Sequence, residues 1–415
     1  MLNCLLHIFY RTILLLSITF LSVQFATSQI DERVYRLDYK ISPERVGELS
    51  VDIDNLTFFR NNEFEGDFMR GYTLPGLWFQ AKAAYYPLEN IKLEAGIHSL
   101  YFYGAKKYPS YAYLDITTWN PDSYQSGVRI LPYFRAQVAL SDNVDIVLGN
   151  IYGGSSHRLI APLYNPELNL TADPEVGMQM LYQSKFFDLD TWINWQSFIF
   201  KMDTHQEAFT GGVSARMKFN NPDSRFHVYI PLQGLIQHRG GETNTLTTNH
   251  VQTFINGATG LGVVWNADYG VLKNINVEAD VLGYSQEVGE LWPLDNGRAY
   301  FFSASADIDN FRVKAAYLKG DDFISILGSP LYGAVSTVHE GLVFVNHSTC
   351  FVGLEYSRSF GEVYNLGVEL EYYVTSSDFQ RSSNGNERKT MKSGKSFSTG
   401  IYFRVSPSFL VKAFR

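Results

Sequence analysis

RILPYFRAQVAL, residues 129–140, decides the fold. Successive side chains of a strand point to opposite faces. Arg129, Leu131, Tyr133, Arg135 and Gln137 therefore share one face, and Ile130, Pro132, Phe134, Ala136, Val138 and Leu140 share the other. In a soluble sandwich the apolar row would face a core and the arginines water. In a membrane barrel the apolar row faces lipid and the arginines line a lumen. The rest of the chain chooses between the two.

The first residues carry one cation, Arg11, then an apolar run from Thr12 to about Phe25, then Ala26, Thr27 and Ser28. That order is a secretory leader, with cleavage expected after Ser28. The run is shorter than the roughly 20 residues that a helix needs to cross a bilayer. Cys4 precedes the run, so no lipid-modified cysteine stands at the cut. Removing residues 1–28 takes one of 34 basic residues and none of 42 acidic ones, which moves the formal charge from −8 to −9. Phosphate binding wants a basic face, so nucleic acid is excluded as a partner. Of two cysteines only Cys350 remains, and no intramolecular disulfide can form.

The chain has 30 Phe, 27 Tyr and 6 Trp, yet its mean hydropathy is −0.12 and no later stretch approaches the length of an apolar helical span. Aromatics that are plentiful and crowd strand ends suit the girdles of a barrel. Sixteen alternating segments of about ten residues are expected: 47–58, 76–87, 91–103, 127–140, 143–152, 176–186, 189–200, 206–219, 225–238, 250–265, 274–286, 298–308, 310–319, 347–359, 362–375 and 396–406. Joints after even strands are short (PLEN, SDN, DLD, NNPDS, DIDN, FGE), whereas those after odd strands are mostly long and polar. A sandwich has no reason to sort loops by strand parity. A transmembrane barrel does so, with short periplasmic turns and long extracellular loops. Pro132 and Pro231 fall inside strands and call for a bulge or a ladder end.

These features define an all-β, transmembrane antiparallel barrel of about 16 strands, within a range of 14 to 18. Residues 1–28 are the leader, 29–46 a periplasmic segment and 47–415 the barrel. On that architecture, and on no shared motif, the chain resembles the porin-like outer-membrane barrels of two-membraned bacteria. The resemblance implies that the third long loop, GGSSHRLIAPLYNPELNLTADPE at 153–175, folds inward as a constriction. That loop carries His157, Arg158, Glu167, Asp173 and Glu175. Where such barrels end on an aromatic residue, this chain places Phe414 next to last, before Arg415.

Strand parity sends charged residues inward. The expected basic wall is Lys82, Arg129, Arg135, Lys185, Arg216, Arg225, Arg312 and Lys314; the acidic wall is Asp145, Glu278, Asp280, Glu355, Glu369 and Glu371. Such charges are too costly for a dry core. A watery lumen accepts them, and two walls of opposite sign would set up a transverse field. The expected function is passive diffusion of small hydrophilic solutes across the outer membrane. The alternative is a receptor or carbohydrate-binding barrel that works through its long loops. No catalytic activity is expected, because Ser156 with His157, His205 with Glu207, and His238 with Arg239 are mere sequence neighbours. No metal-ligand spacing occurs and no cofactor is implied. Residues 321–345 are long and apolar for a loop. They are expected to fold inward, to pack on lipid or a partner such as the other subunits of a homotrimer, or to hide an extra strand pair.

Overall fold

The computed structural model describes residues 30–35, 37, 39–103, 128–198, 206–241, 251–382, 388–389 and 394–414. The expected leader and His205 lie outside the described residues. Among the described residues there are twenty strands. They are β1 (Glu48–Phe64), β2 (Tyr72–Leu88), β3 (Ile91–Phe102), β4 (Val128–Ser141), β5 (Val144–Asn150), β6 (Val176–Gln183), β7 (Phe187–Ser197), β8 (Ala208–Lys218), β9 (Phe226–Arg239) and β10 (Gln252–Tyr269). Then come β11 (Leu272–Val288), β12 (Asn296–Ile308), β13 (Phe311–Asp321), β14 (Leu342–Val345), β15 (Ser348–Phe360), β16 (Tyr364–Ser376), β17 (Phe379–Ser382), β18 (Arg388–Lys389), β19 (Gly394–Val405) and β20 (Ser408–Ala413).

Every ladder is antiparallel, and the sheet closes because β1 pairs with β2 on one side and with β19 and β20 on the other. β19 and β20 form one stave broken at Ser406 and Pro407, so the barrel has sixteen staves; β14, β17 and β18 make a separate three-stranded sheet. Each expected segment lies on one stave. The short joints after even strands are tight turns; Gly270 and Gly361 take φ of +60° and +65° there, a region that favours glycine.

The opening stretch behaves as a lipid-facing strand. Phe134 is 55% exposed outward and Arg135 only 2% exposed inward. Ile130, Leu140, Leu148, Met178, Val277, Phe302, Val352 and Ile401 continue the exposed apolar surface around the barrel. A monomer in water does not carry such a surface, whereas a bilayer requires it. The protein is an outer-membrane β-barrel. The prolines sit where the ladder allows them. Pro132 lies beyond the last β4–β5 pair, Arg135 with Gly149, and Pro231 lies where the β9–β10 ladder skips from Leu232 to Tyr229.

The barrel is filled from within. Residues 151–175 turn inward after β5, and the apolar stretch after β13 does the same, burying Phe323, Ile324, Ile326, Leu327, Leu331 and Tyr332. The two segments are tied together: Asn165 N–H donates to the Leu327 carbonyl (2.9 Å), Ser329 N–H to Ala161 (3.1 Å) and Ser325 Oγ to Pro162 (2.6 Å). Asn256 on β10 fixes the second segment by accepting from Ile326 N–H (2.9 Å) and donating to the Ile324 carbonyl (2.9 Å). At the end with the short turns, Ile30 and Val34 are buried against Gly367, and Arg404 donates to the Val34 carbonyl (3.0 Å). The 321–345 stretch is thus an interior core element and adds no stave.

Candidate active site

β5 and β6 have only 7 and 8 residues, whereas β4 has 14 and β7 has 11. The β4–β5 ladder stops at Arg135 and the β6–β7 ladder at Asn194. Among the described residues, no strand covers the flank of β4 above Arg135 or that of β7 above Asn194. With strands spaced about 4.8 Å apart, two missing strands leave an opening of about 14 Å. It sits at the long-loop end of the barrel, in the outer-leaflet half of the wall.

A cavity of about 300 Å³ occupies this notch. Its lining mixes Pro132, Val176 and Trp195, from the lipid-facing side of their strands, with Arg129, Trp192, Thr210 and Leu235 from the lumen side. A cavity lined from both sides passes through the wall. The inward segment 151–175 forms its floor. Gly153 and Gly154 let the chain turn there: Gly154 has φ +62°, and a Cβ would stand 2.3 Å from Asn169 Oδ1.

Three titrating groups lie behind the opening. His157 is 1% exposed, stacks on Trp192 with ring centroids 3.5 Å apart, and is gripped by Asp190 at Nδ1 (2.7 Å) and Glu175 at Nε2 (3.1 Å). Burial opposes its charge, but the two carboxylates outweigh burial and raise its pKa to about 9. Glu175, opposed by burial, is still lowered by His157 and by the Gly154 N–H. Asp173 differs. Burial pushes its carboxyl up to about 6 although Arg129 stands 2.9 Å from Oδ2, and its buried Oδ1 has no hydrogen-bond partner among the described residues.

The expected constriction residues therefore lie inside the barrel, but they do not act as one acidic rim. Glu167 joins Glu369 and Glu371 around Arg60, at 2.9 Å from Nε and with Glu371 2.7 Å from Nη2. Arg158 reaches to 4.0 Å from Asp188. The expectation of two walls of opposite sign is corrected by local pairing. Arg135 and Lys82 meet Glu94 at 3.0 Å each, Arg312 meets Asp307 (2.7 Å), Lys314 meets Glu355, and Asp145 accepts from Gln137 (2.9 Å). Arg216 lies over the Tyr229 ring at 4.0 Å, and Tyr229 donates to Glu278, beside buried Asp280. Lys185 and Arg225 are not in the wall: they are exposed in the short turns before β7 and β9, where the alternation of a strand no longer holds. Sequence reading missed Asp190 and Trp192, whose only signal is their inward parity on β7, and Glu94 as the common partner of three cations.

Several solved outer-membrane proteins are similar in structure. A loop-deletion form of OmpT from Vibrio cholerae is 12% identical, with 86% of this chain and 99% of that chain covered and a TM-score of 0.46. OccAB3 from Acinetobacter baumannii is 11% identical, covers 88% and 100%, and scores 0.45. OpdL from Pseudomonas aeruginosa is 9% identical, covers 88% and 99%, and scores 0.44. No curated protein matches the chain. A family model described as "Lipid A 3'-O-deacylase-type" matches residues 41–414, almost the whole barrel. That description names an enzyme activity and overturns the expectation of a non-catalytic barrel, because sequence neighbours carry no trace of groups that folding brings together. The chain belongs to the lipid A 3'-O-deacylase-type family.

Proposed function

We propose that this barrel is an acyl-ester hydrolase that takes a glycolipid of the outer leaflet sideways through the notch between β4 and β7. The observation that carries the reading is the cavity that crosses the wall: apolar residues on the lipid side lead to Asp173, Arg129 and His157 on the lumen side. An acyl chain moving in from the bilayer stays among apolar groups and brings its ester to the carboxyl of Asp173.

Hydrolysis needs a base for water and a positive group for the oxyanion. Asp173, with a pKa near 6 and an unoccupied Oδ1, accepts the proton of the attacking water. The water oxygen bonds to the acyl carbon while Arg129 faces the developing negative charge; the bond from the acyl carbon to the sugar oxygen then breaks, and that oxygen takes the proton held by Asp173, which returns to its carboxylate form. The products are a fatty acid and a sugar hydroxyl. His157 has both ring nitrogens engaged by carboxylates and acts as a positioning residue that holds Glu175 and the 172–175 segment.

The competing reading is passive diffusion of small hydrophilic solutes, which the many charged residues of the inner wall favour. Purified protein in detergent is incubated with lipid A and the lipid analysed by mass spectrometry. Loss of one ester-linked acyl chain is expected, with the rate cut by about 100-fold or more in Asp173→Asn. Intact lipid A together with stepwise conductance in planar bilayers would overturn the hydrolase in favour of the channel.

A further inference from the structure

A second cavity, about 110 Å³, lies across the 172–175 segment from the notch. The two cavities share Tyr164, Leu168, Ala172, Asp173, Pro174 and Glu175 in their linings. The second cavity is also lined by Trp78, Gln80, His98, Tyr133 and Arg135 from the inner faces of β2, β3 and β4, by Tyr35 and Leu37 of the N-terminal segment, and by further residues of the inward segment after β5.

Gln80, His98 and Tyr133 are 8%, 4% and 3% exposed. Gln80 Nε2 stands 3.1 Å from His98 Nδ1, while Gln80 Oε1, His98 Nε2 and the Tyr133 hydroxyl have no hydrogen-bond partner among the described residues. Leaving a buried polar group unpaired is costly, and here three converge on one space. With the Gln80 amide donating to Nδ1, the set offers an acceptor at Gln80, a donor at His98 Nε2 and a group of either kind at Tyr133. Trp78 adds an aromatic face, its ring centroid 6.0 Å from that of His98.

The charge nearby argues against an anion. Arg135 reaches the cavity but already donates to Glu94, to the Asn150 carbonyl and to the Ile151 carbonyl at 3.0, 2.6 and 3.1 Å. Asp173 and Glu175 line the far side. Neutral hydroxyls beside an aromatic ring fit this chemistry, and a pyranose presents both an apolar face and a rim of hydroxyls.

We propose that Trp78, Gln80, His98 and Tyr133 form a subsite for one sugar ring of the glycolipid whose acyl chain occupies the notch. The proposal rests on the hydrolase reading and deepens it. With sugar on one side of the 172–175 segment and acyl chain on the other, the ester that joins them falls at Asp173.

The test uses the full-length protein in detergent, with folding checked by heat-modifiable electrophoretic mobility, and N-acetylglucosamine as the probe in saturation-transfer NMR. The wild type is expected to transfer saturation to the ring protons. Tyr133→Phe should weaken the signal, and His98→Phe combined with Gln80→Met should abolish it. The same variants should raise KM for lipid A about tenfold with kcat within twofold. They should leave hydrolysis of a long-chain p-nitrophenyl ester, which has no sugar, unchanged. If lipid A is cleaved but the wild type shows no transfer from N-acetylglucosamine, only water fills this cavity and the subsite is refuted. If transfer is seen and lost in the variants while lipid A stays intact, the sugar subsite stands and the hydrolase reading falls.

Discussion

Glu94 holds three cations at once: Lys82 and Arg135 at 3.0 Å and Lys92 at 3.2 Å, with its own side chain fully buried. Removing the single anion leaves buried positive charges uncompensated. Glu94→Gln is therefore expected to destabilise the barrel by about 3–5 kcal/mol, read as a lower urea midpoint for unfolding from micelles. His157 makes a pH-dependent contribution. Its folded pKa, about 9, is above the ordinary value of 6.5, so its stabilising effect is full below pH 6.5 and is lost as pH rises through 9. Glu175 is lowered and contributes above its ordinary value of 4.5. Amide exchange over residues 151–175 should accordingly be slowest between pH 4.5 and 6.5, after correction for intrinsic rates, and should quicken towards pH 9. In His157→Phe that alkaline quickening should vanish. The Asp173 carboxyl, raised to about 6, sets a separate expectation for activity: kcat/KM should climb through pH 6 and then level off.

At the scale of elements, the inward stretch after β13 acts as a plug made of core residues. It is anchored by Asn256, by Thr337 Oγ1 donating to the Phe68 carbonyl (2.9 Å), by His347 Nε2 at 2.9 Å from the Tyr332 carbonyl, and by Phe68 stacked on Phe344 at 3.7 Å. Replacing residues 323–337 with a short glycine–serine link should leave the sixteen staves closed, because the β13–β15 ladder does not involve those residues. The expected result is large stepwise conductance in planar bilayers from the deletion protein and little from the parent. Equal conductance from both would show that the plug does not limit the lumen.

For the whole molecule, the lipid-facing surface can be tested one position at a time. Phe134 lies midway along β4 and points outward. Phe134→Arg should cost about 2–4 kcal/mol of folding free energy in liposomes, the range for a cation near the bilayer midplane. Phe134→Leu should cost far less, because the outward surface needs apolar character more than a specific shape.

The sequence by itself determined the faces, the strand number and the side on which the long loops lie. A two-residue period is a local property: RILPYFRAQVAL sends Arg135 inward and Phe134 outward whatever the distant chain does, and turn composition marks where each strand ends. Only the tertiary structure decided which charges meet, since Arg60 and Glu369 are 309 residues apart and come together only when the barrel closes. It also decided that β5 and β6 stop short, which opens the notch, and that an apolar loop becomes core. Inward parity assigns a side chain to the lumen. The register of the closed sheet and the packing of the inward segments then settle its partners, because those depend on contacts between parts of the chain that carry no local trace of each other.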